Sequence, residues 1–404
     1  MASEQDAHED ETTESQGDET RLPPLWDTPR ILGIELTNFL SYKRAHLELS
    51  DFTAIVGPNA SGKSNAVKAF RLLRDIPTYG LPVALARHGG FDQLRHRSNG
   101  KPNDPAIKLH FAFDDAPPSF YEISLGSVSG KKYRVKSERA LVNYGTRGDF
   151  VSFHSDGSRL SASERLNGPD DEIRSVVAPG QSALSTGSFA SYVVQNTLRS
   201  IQTIEINPAL VGALQDPSST DEFDPAGSNT TSVFEALTQE ERAQVTERLS
   251  AVVPGIVRIE PQNFADKQTL AFFQHTASGN RKFLAKQMSD GTLRAFAIML
   301  AMTQKTQPQL VVIEEPEVAI HLGALQSLVE ILKSSSSTTQ VLITTHSADI
   351  IDEVPVDSLR VVWSDQEQSQ LATVSEHTRS VLRSGMITPG ALLRADALDP
   401  DFAA

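Results

Sequence analysis

The octet Gly57-Pro58-Asn59-Ala60-Ser61-Gly62-Lys63-Ser64 constrains this chain more than any other stretch. The apolar run Phe52–Val56 before it reads as a buried strand, and Asn65–Leu73 after it, rich in Ala, Val, Phe, Leu and Lys, reads as the start of a helix. A strand, a glycine-punctuated loop and a helix in that order make an anion cradle. The glycines let the backbone wrap closely, and successive N–H groups at the helix N-terminus point inward. The spacing GxxxxGK[ST] puts Lys63 within reach of β- and γ-phosphates and the Ser64 hydroxyl where a Mg²⁺ ion is ligated. A chance glycine turn is the plainer alternative, and the flanking strand and helix speak against it.

Three further stretches follow in fixed order. Ser289-Asp290-Gly291-Thr292-Leu293-Arg294 opens the apolar run Leu293–Met302, and its plain reading is an N-cap before a helix. A helix start is also an anion site, so the two readings coexist. Leu310-Val311-Val312-Ile313 describes a strand buried on both faces, as in a parallel sheet, with Glu314 and Glu315 at its C-terminal end, where α/β sheets bind ligands. There Glu314 is the candidate for holding Mg²⁺ through its water shell, and Glu315 the candidate general base for an attacking water. A solvated acidic turn is the alternative. His346 ends another buried strand, Val341–Thr345. Alone it reads as a structural histidine; placed one strand beyond Glu315, it is a candidate γ-phosphate contact.

Together these stretches resemble the ABC-type ATPase heads of the SMC/RecF/OLD group. The likeness begins at Ile31-Leu32-Gly33-Ile34-Glu35-Leu36-Thr37-Asn38-Phe39 and continues through Gly57-Pro58-Asn59 and Asn65. Ser289–Arg294 then looks like the group's signature, Glu314-Glu315-Pro316-Glu317 like its Walker B, and Thr345-His346-Ser347 like its H-loop. Phe223–Asn229 and Ser384–Gly390 resemble its compact bacterial members. The resemblance implies a P-loop NTPase of α/β class with an antiparallel β lobe and a helical insertion, using ATP and Mg²⁺. It implies that Ser289, Asp290 and Gly291 contact the nucleotide of a second copy, so that ATP joins a homodimer. Leu322 stands where relatives often have Pro, and Gln93 is the Q-loop candidate for the metal, a plain polar turn being the alternative.

The remaining sequence bounds the setting. The chain has 404 residues and no cysteine, so disulfides and thiolate metal sites are excluded. No apolar run approaches the roughly 18 residues of a membrane span, and the acidic N-terminus does not read as a secretory signal; a cytoplasmic protein without membrane contact is expected. Net charge is −14, but residues 1–20 hold eight acids and no Lys or Arg, and without them the balance is −6. An acidic tail over residues 1–29 is expected to be disordered. The ATPase domain would then span 30–404, with an N-terminal lobe (30–105), a β lobe with helical insertion (106–280) and a C-terminal lobe (281–404).

Within the middle region, Ala106–Phe113, Phe120–Leu125, Lys132–Lys136 and Asp149–His154 alternate like strands, and Thr238–Leu249 reads as a polar amphipathic helix. Pro208–Gly227 reads as a mobile loop. Arg87, Arg95, Arg97, Lys131, Lys132, Arg134, Lys136 and Arg139 make this region locally basic, either a surface for a phosphodiester backbone or an ordinary solvated face. Heptads are absent, so no long coiled-coil arm is expected. The stretch after His346 is too short for the two-metal Toprim nuclease of OLD relatives, and Gly385–Leu393 is expected to form a closing helix or docking surface.

The expectation is an ATP-dimerised switch, similar to the ATPase subunits of DNA-processing and phage-defence complexes, with a separate nuclease or effector and with DNA as candidate partners. The alternative is a nucleotide-gated interaction module of slow turnover, restraining a toxin or nuclease without touching DNA. A transporter subunit is disfavoured by the lack of an LSGGQ-like signature.

Overall fold

A computed structural model describes residues 29–98, 101–114, 116–129, 132–144, 148–166, 171–277, 279–365 and 367–401. The expected acidic tail through residue 28, and Lys131, lie outside the described residues.

Five parallel strands form the centre, in the order 359–364, 52–56, 340–345, 310–314, 201–204. They are short and apolar because both faces are covered. Along Phe52–Val56, Ile55 packs into the core on one side while Phe52, Ala54 and Val56 pack on the other. Leu310 and Val312 alternate in the same way with Val311 and Ile313. One layer is led by the helix Lys63–Tyr79, the other by Asp290–Thr303 and Leu325–Ser335. Asp290–Thr303 buries twelve of its fourteen residues, which explains why its sequence is apolar nearly all round.

The sheet does not stop at the parallel core. Ser369–Thr373 returns antiparallel to Leu359–Ser364, and Tyr42–Glu48, Arg30–Phe39, Ala106–Ala112, Ser119–Val128, Lys132–Tyr144, Asp149–Ser155, Arg159–Arg165 and Asp171–Val176 extend it to fourteen strands. The four predicted middle strands are all present, the third running much further than its first five residues suggested. Lys132–Tyr144 changes register beside Ser124 and Leu125. That bulge moves the inward positions from odd to even numbers, which hides the strand from a strict period-two reading. Beyond it, buried Glu138 accepts from the Tyr121 and Ser182 hydroxyls at 2.9 and 2.5 Å and from Ala183 N–H at 2.7 Å. Burial raises its carboxyl above the usual range, against these donors.

A separate three-stranded sheet, Ile256–Phe264, Lys267–Thr276 and Gly279–Leu284, leads directly into Asp290–Thr303. The predicted polar helix is Gln239–Val252, opened by a capping box between Thr238 and Glu241. The stretch expected as a mobile loop instead has a folded course. Pro208–Gly212 is helical, Phe223 is fully buried, and the backbone of Gln215 pairs with that of Gln268. The expected closing helix is Pro389–Arg394, held where Gly390 N–H donates to Asp352 at 2.6 Å and Arg394 to Asp349 at 2.9 Å. The longest helix among the described residues has 17 residues.

Candidate nucleotide site

The parallel strands bring three of the sequence motifs to one edge. Phe52–Val56 delivers the glycine loop, Gln340–Thr345 delivers His346, and Leu310–Glu314 delivers Glu314 and Glu315, on adjacent strands with their C-termini together.

The loop itself is bent by backbone conformations few residues tolerate. Ala60 takes φ +62° and Gly62 φ +120°. A Cβ on Gly62 would stand 2.3 Å from the Ser369 hydroxyl, and one on Gly57 2.1 Å from the Val362 carbonyl. Both glycines are thus required by crowding as well as by φ. The chain after Phe39 holds the loop from outside. The Tyr42 hydroxyl donates to the Gly62 carbonyl at 3.0 Å, and Ser369 and Asn65 donate to the Ser41 hydroxyl at 2.7 and 2.8 Å. Fixing the Gly62 carbonyl outward turns the Lys63 N–H, on the other side of the same peptide plane, inward. Pro58, Asn59, Ala60 and Ser64 are exposed at the mouth, and Ser61 is buried.

The Lys63 ammonium donates to the carbonyls of Gly57 and Pro58 at 2.8 and 2.9 Å. Burial lowers it from the usual lysine range, and Glu315 and Glu317 oppose that shift. The Ser61 hydroxyl is buried with no partner among the described residues, a condition that costs about 1–3 kcal/mol. A nest of amides, a cation satisfied only by loop carbonyls and an orphaned hydroxyl are the features that a phosphate chain satisfies. The residues fit a nucleotide.

Glu314 and Glu315 diverge. Glu314 faces Arg71, on the third turn of Lys63–Tyr79, at 3.1 Å, and the same guanidinium meets Glu205 at 2.8 Å beyond the edge strand Ile201–Ile204. Glu315 turns away because its φ is +45°, rare for a residue with a side chain. Its amide donates to the Thr344 carbonyl at 3.0 Å, and its carboxylate meets His346 Nδ1 at 3.2 Å. Glu317 accepts from the Thr345 hydroxyl at 2.6 Å and lies 3.9 Å from His346. A water beside Glu315 would meet a proton acceptor backed by an imidazole. Among the described residues no three His, Cys, Asp or Glu side chains could hold a metal unaided. The candidate set of Ser64 and Glu314 therefore fits an ion that takes other ligands from the nucleotide and water.

The signature opens the helix that packs on the Glu315–Ala319 turn, with its first residues facing outward. Ser289 caps its helix by accepting from Thr292 N–H at 3.2 Å, and both Ser289 and Asp290 face solvent. Gly291 is buried because the Ala319 carbonyl would stand 2.0 Å from any Cβ there. None of the described hydrogen bonds joins Ser289–Gly291 to their own glycine loop. Gln93 is exposed on the short helix Phe91–Leu94, whose last carbonyl accepts from Leu40 N–H at 2.8 Å, and it is not among the groups gathered at the strand ends. Arg71 and Glu205 escaped the sequence reading, and Arg294 entered it only as the last residue of the signature, without a role of its own.

Most cations of the middle region have acidic neighbours. Arg139 meets Glu122 at 2.6 Å, Lys136 meets Asp104 at 3.2 Å, Arg95 lies near Asp92 and Asp104, and Arg87 lies 3.5 Å from Asp75. Arg97, Lys132 and Arg134 are exposed.

Strand order and motif placement define a P-loop ATPase of the ABC and SMC-head type. Residues 52–352 match the family described as "AAA domain, putative AbiEii toxin, Type IV TA system", and the chain belongs to that family. It is also similar to structural maintenance of chromosomes protein 1 of Arabidopsis thaliana, 33% identical over 118 residues, which are 28% of this chain and 9% of that protein. The counterpart from Schizosaccharomyces pombe is 25% identical over 27% of this chain and 10% of its own length. The matched stretches thus span about a tenth of those proteins. Among solved structures, an Smc head bound to the C-terminal winged-helix domain of ScpA superposes with TM-score 0.54 at 16% identity, covering 87% of this chain and all of that one. An Smc head with an extended coiled coil, bound to the C-terminal domain of ScpA from Pyrococcus furiosus, gives 0.52 at 13%, covering 89% of this chain and all of that one. The expected fold class and family group are borne out, and the chain is an ATP-hydrolysing P-loop enzyme of the SMC-like AAA type. No helix among the described residues is long and apolar enough to cross a membrane.

Proposed function

We propose that this ATPase works as a switch closed by ATP between two copies of the chain. Each glycine loop is completed by the other copy's Ser289, Asp290 and Gly291, and the closed pair acts on a separate effector. The carrying observation is the position of the signature. Its capped helix start, an anion site, is turned to solvent, and none of the described hydrogen bonds joins Ser289–Gly291 to their own glycine loop.

In this reading Gly57–Asn65 would hold the phosphate chain, Lys63 would neutralise its end, and Ser64 and Glu314 would hold a Mg²⁺ ion, with Gln93, away from the strand ends, left out of that set. That ion, when bound, supplies charge neutralisation at the β- and γ-oxygens. Glu315 accepts the proton of the attacking water, and His346 orients the Glu315 carboxylate and contacts the terminal phosphate. Glu315→Gln is expected to lower turnover about 10²–10⁴-fold and to trap the pair. Light scattering with saturating Mg·ATP should show a doubled mass; a monomer at every concentration overturns the proposal.

A second reading is favoured by the family description, which names a toxin system: the closed pair restrains an effector and turnover is slow. That an SMC head was solved with a ScpA domain bound supports partner docking as the output. The Glu315→Gln variant separates the two readings, since a switch that must cycle stalls and a pure restraint still signals.

A further inference from the structure

The helix offered to a second nucleotide is fastened at its other side to the catalytic turn of its own chain. The Arg294 side chain, on the second turn of Asp290–Thr303, donates through Nη2 to the carbonyls of Glu314 and Glu315 at 2.9 and 3.1 Å. One turn earlier, Gly291 lies against the Ala319 carbonyl with no room for a Cβ. Between these two contacts the chain makes consecutive tight turns, Val318 N–H to the Glu315 carbonyl at 3.1 Å and Ile320 N–H to the Glu317 carbonyl at 3.0 Å. Both Glu315 and Ala319 hold positive φ, +45° and +65°. Backbone of that kind costs on the order of 1–3 kcal/mol per residue and persists only where its surroundings impose it. Here they are imposed by Arg294 and Gly291 on one side and by the Thr344 carbonyl on the other.

We infer that Arg294 is a positioning residue for Glu315, so that engagement of Ser289 with the second copy's nucleotide aligns the base of its own chain. Packed helices move as rigid bodies, and a shift at the helix start is delivered to the carbonyl that fixes the Glu315 turn. Each signature then has two effects: it completes one site in trans and licenses the other in cis. The inference rests on the shared-site reading above and adds to it that the two sites fire together.

Two variants and one mixed dimer test it. Arg294→Met removes both donors, and Arg294→Lys retains charge but reaches a single carbonyl. Expected for Arg294→Met are fluorescent-ATP affinity within about threefold of wild type, retained ATP-dependent dimerisation in the Glu315→Gln background, and a kcat lowered about 10–100-fold, the scale of a 1 Å misplacement. KM should stay nearly fixed, the Hill coefficient should fall towards one, and Arg294→Lys should be intermediate. Unchanged kcat overturns the inference, as does equal loss of affinity, dimer and kcat, which marks a purely structural residue. Should Arg294→Met fail to fold, a mixed dimer carrying Ser289→Arg in one copy decides. Coupling predicts well under half of wild-type turnover, because both sites are affected; half the turnover leaves the shared pocket standing and sinks the coupling. Absence of any ATP dimer in Glu315→Gln alone sinks both.

Discussion

Single residues at this site are chosen for backbone conformations that others resist. Gly62 combines φ +120° with a neighbour at 2.3 Å from its missing Cβ, so Gly62→Ala must either push Ser369 away or unbend the cradle. Moving Ser369 also breaks its bond to Ser41 and, through Ser41, the hold on Asn65. We expect Gly62→Ala to keep the fold, because the strain of about 1–3 kcal/mol is local, and to lose fluorescent-ATP binding at least tenfold. Equal affinity in a titration would contradict the crowding described for Gly62. The glycine loop with Lys63 and the glutamate pair were legible as candidates, the first from the GxxxxGK[ST] spacing and the second from two acids closing an apolar strand; the structure brings both to one edge of the sheet. The Glu315 turn was not legible, since a positive φ at a residue with a side chain leaves no compositional mark. The roles of Arg71 and Arg294 were hidden for a related reason: each is a lone cation on a helix, and only the fold shows that its guanidinium ends at a Walker B carboxylate or carbonyl.

At the level of elements, the strands were read well wherever both faces are buried and poorly wherever a bulge shifts the period, as in Lys132–Tyr144. The largest difference concerns the segment 208–227, where Pro, Ser and Asp suggested a mobile loop. One buried side chain reverses that reading. Gln215 Nε2 donates to the carbonyls of Leu210 and Gly227 and to the Thr230 hydroxyl, each at 3.0 Å, while Oε1 accepts from Thr231 N–H at 2.9 Å. Composition cannot reveal a glutamine that serves as an interior clasp. The element matters for the site because Gly212 packs against Leu293 at the start of the signature helix. Gln215→Leu leaves those buried groups unpaired, at about 1–3 kcal/mol for each group stranded. Limited proteolysis should then cut between residues 208 and 227, where the wild type resists, and thermal melting should occur several degrees lower. Resistance equal to wild type would mean that packing of Phe223, rather than the glutamine, holds the segment.

For the whole molecule, the proposed closed pair could present itself to DNA or to a protein, and the charge distribution sets what each would look like in an experiment. The chain carries −14 overall, and four of the cations suggested as a phosphodiester surface lie beside Asp or Glu in the fold. The outward face of the neighbouring strands repeats the pattern. Lys108 and His110 both meet Glu35, at 3.5 and 2.5 Å, and Lys108 also lies 5.0 Å from the Phe120 ring centroid. A cation already matched by a carboxylate gains little from a phosphate, because forming the new contact strands the old partner. Binding to duplex DNA releases about 0.9 counterion per phosphate neutralised. With Arg97, Lys132 and Arg134 as the described cations of that set for which no acidic neighbour is described, one copy would neutralise about three phosphates. We therefore expect fluorescence anisotropy with a duplex oligonucleotide to give a log–log salt slope no steeper than about −3 per copy, a loss of at most about fiftyfold between 50 and 200 mM salt. ATPase activity should be correspondingly indifferent to DNA. A slope near −6 with marked stimulation would place the nucleic acid directly on the closed pair and remove the need for an effector to read it. A shallow slope moves the output to a protein surface, where matched charges confer selectivity rather than bulk attraction.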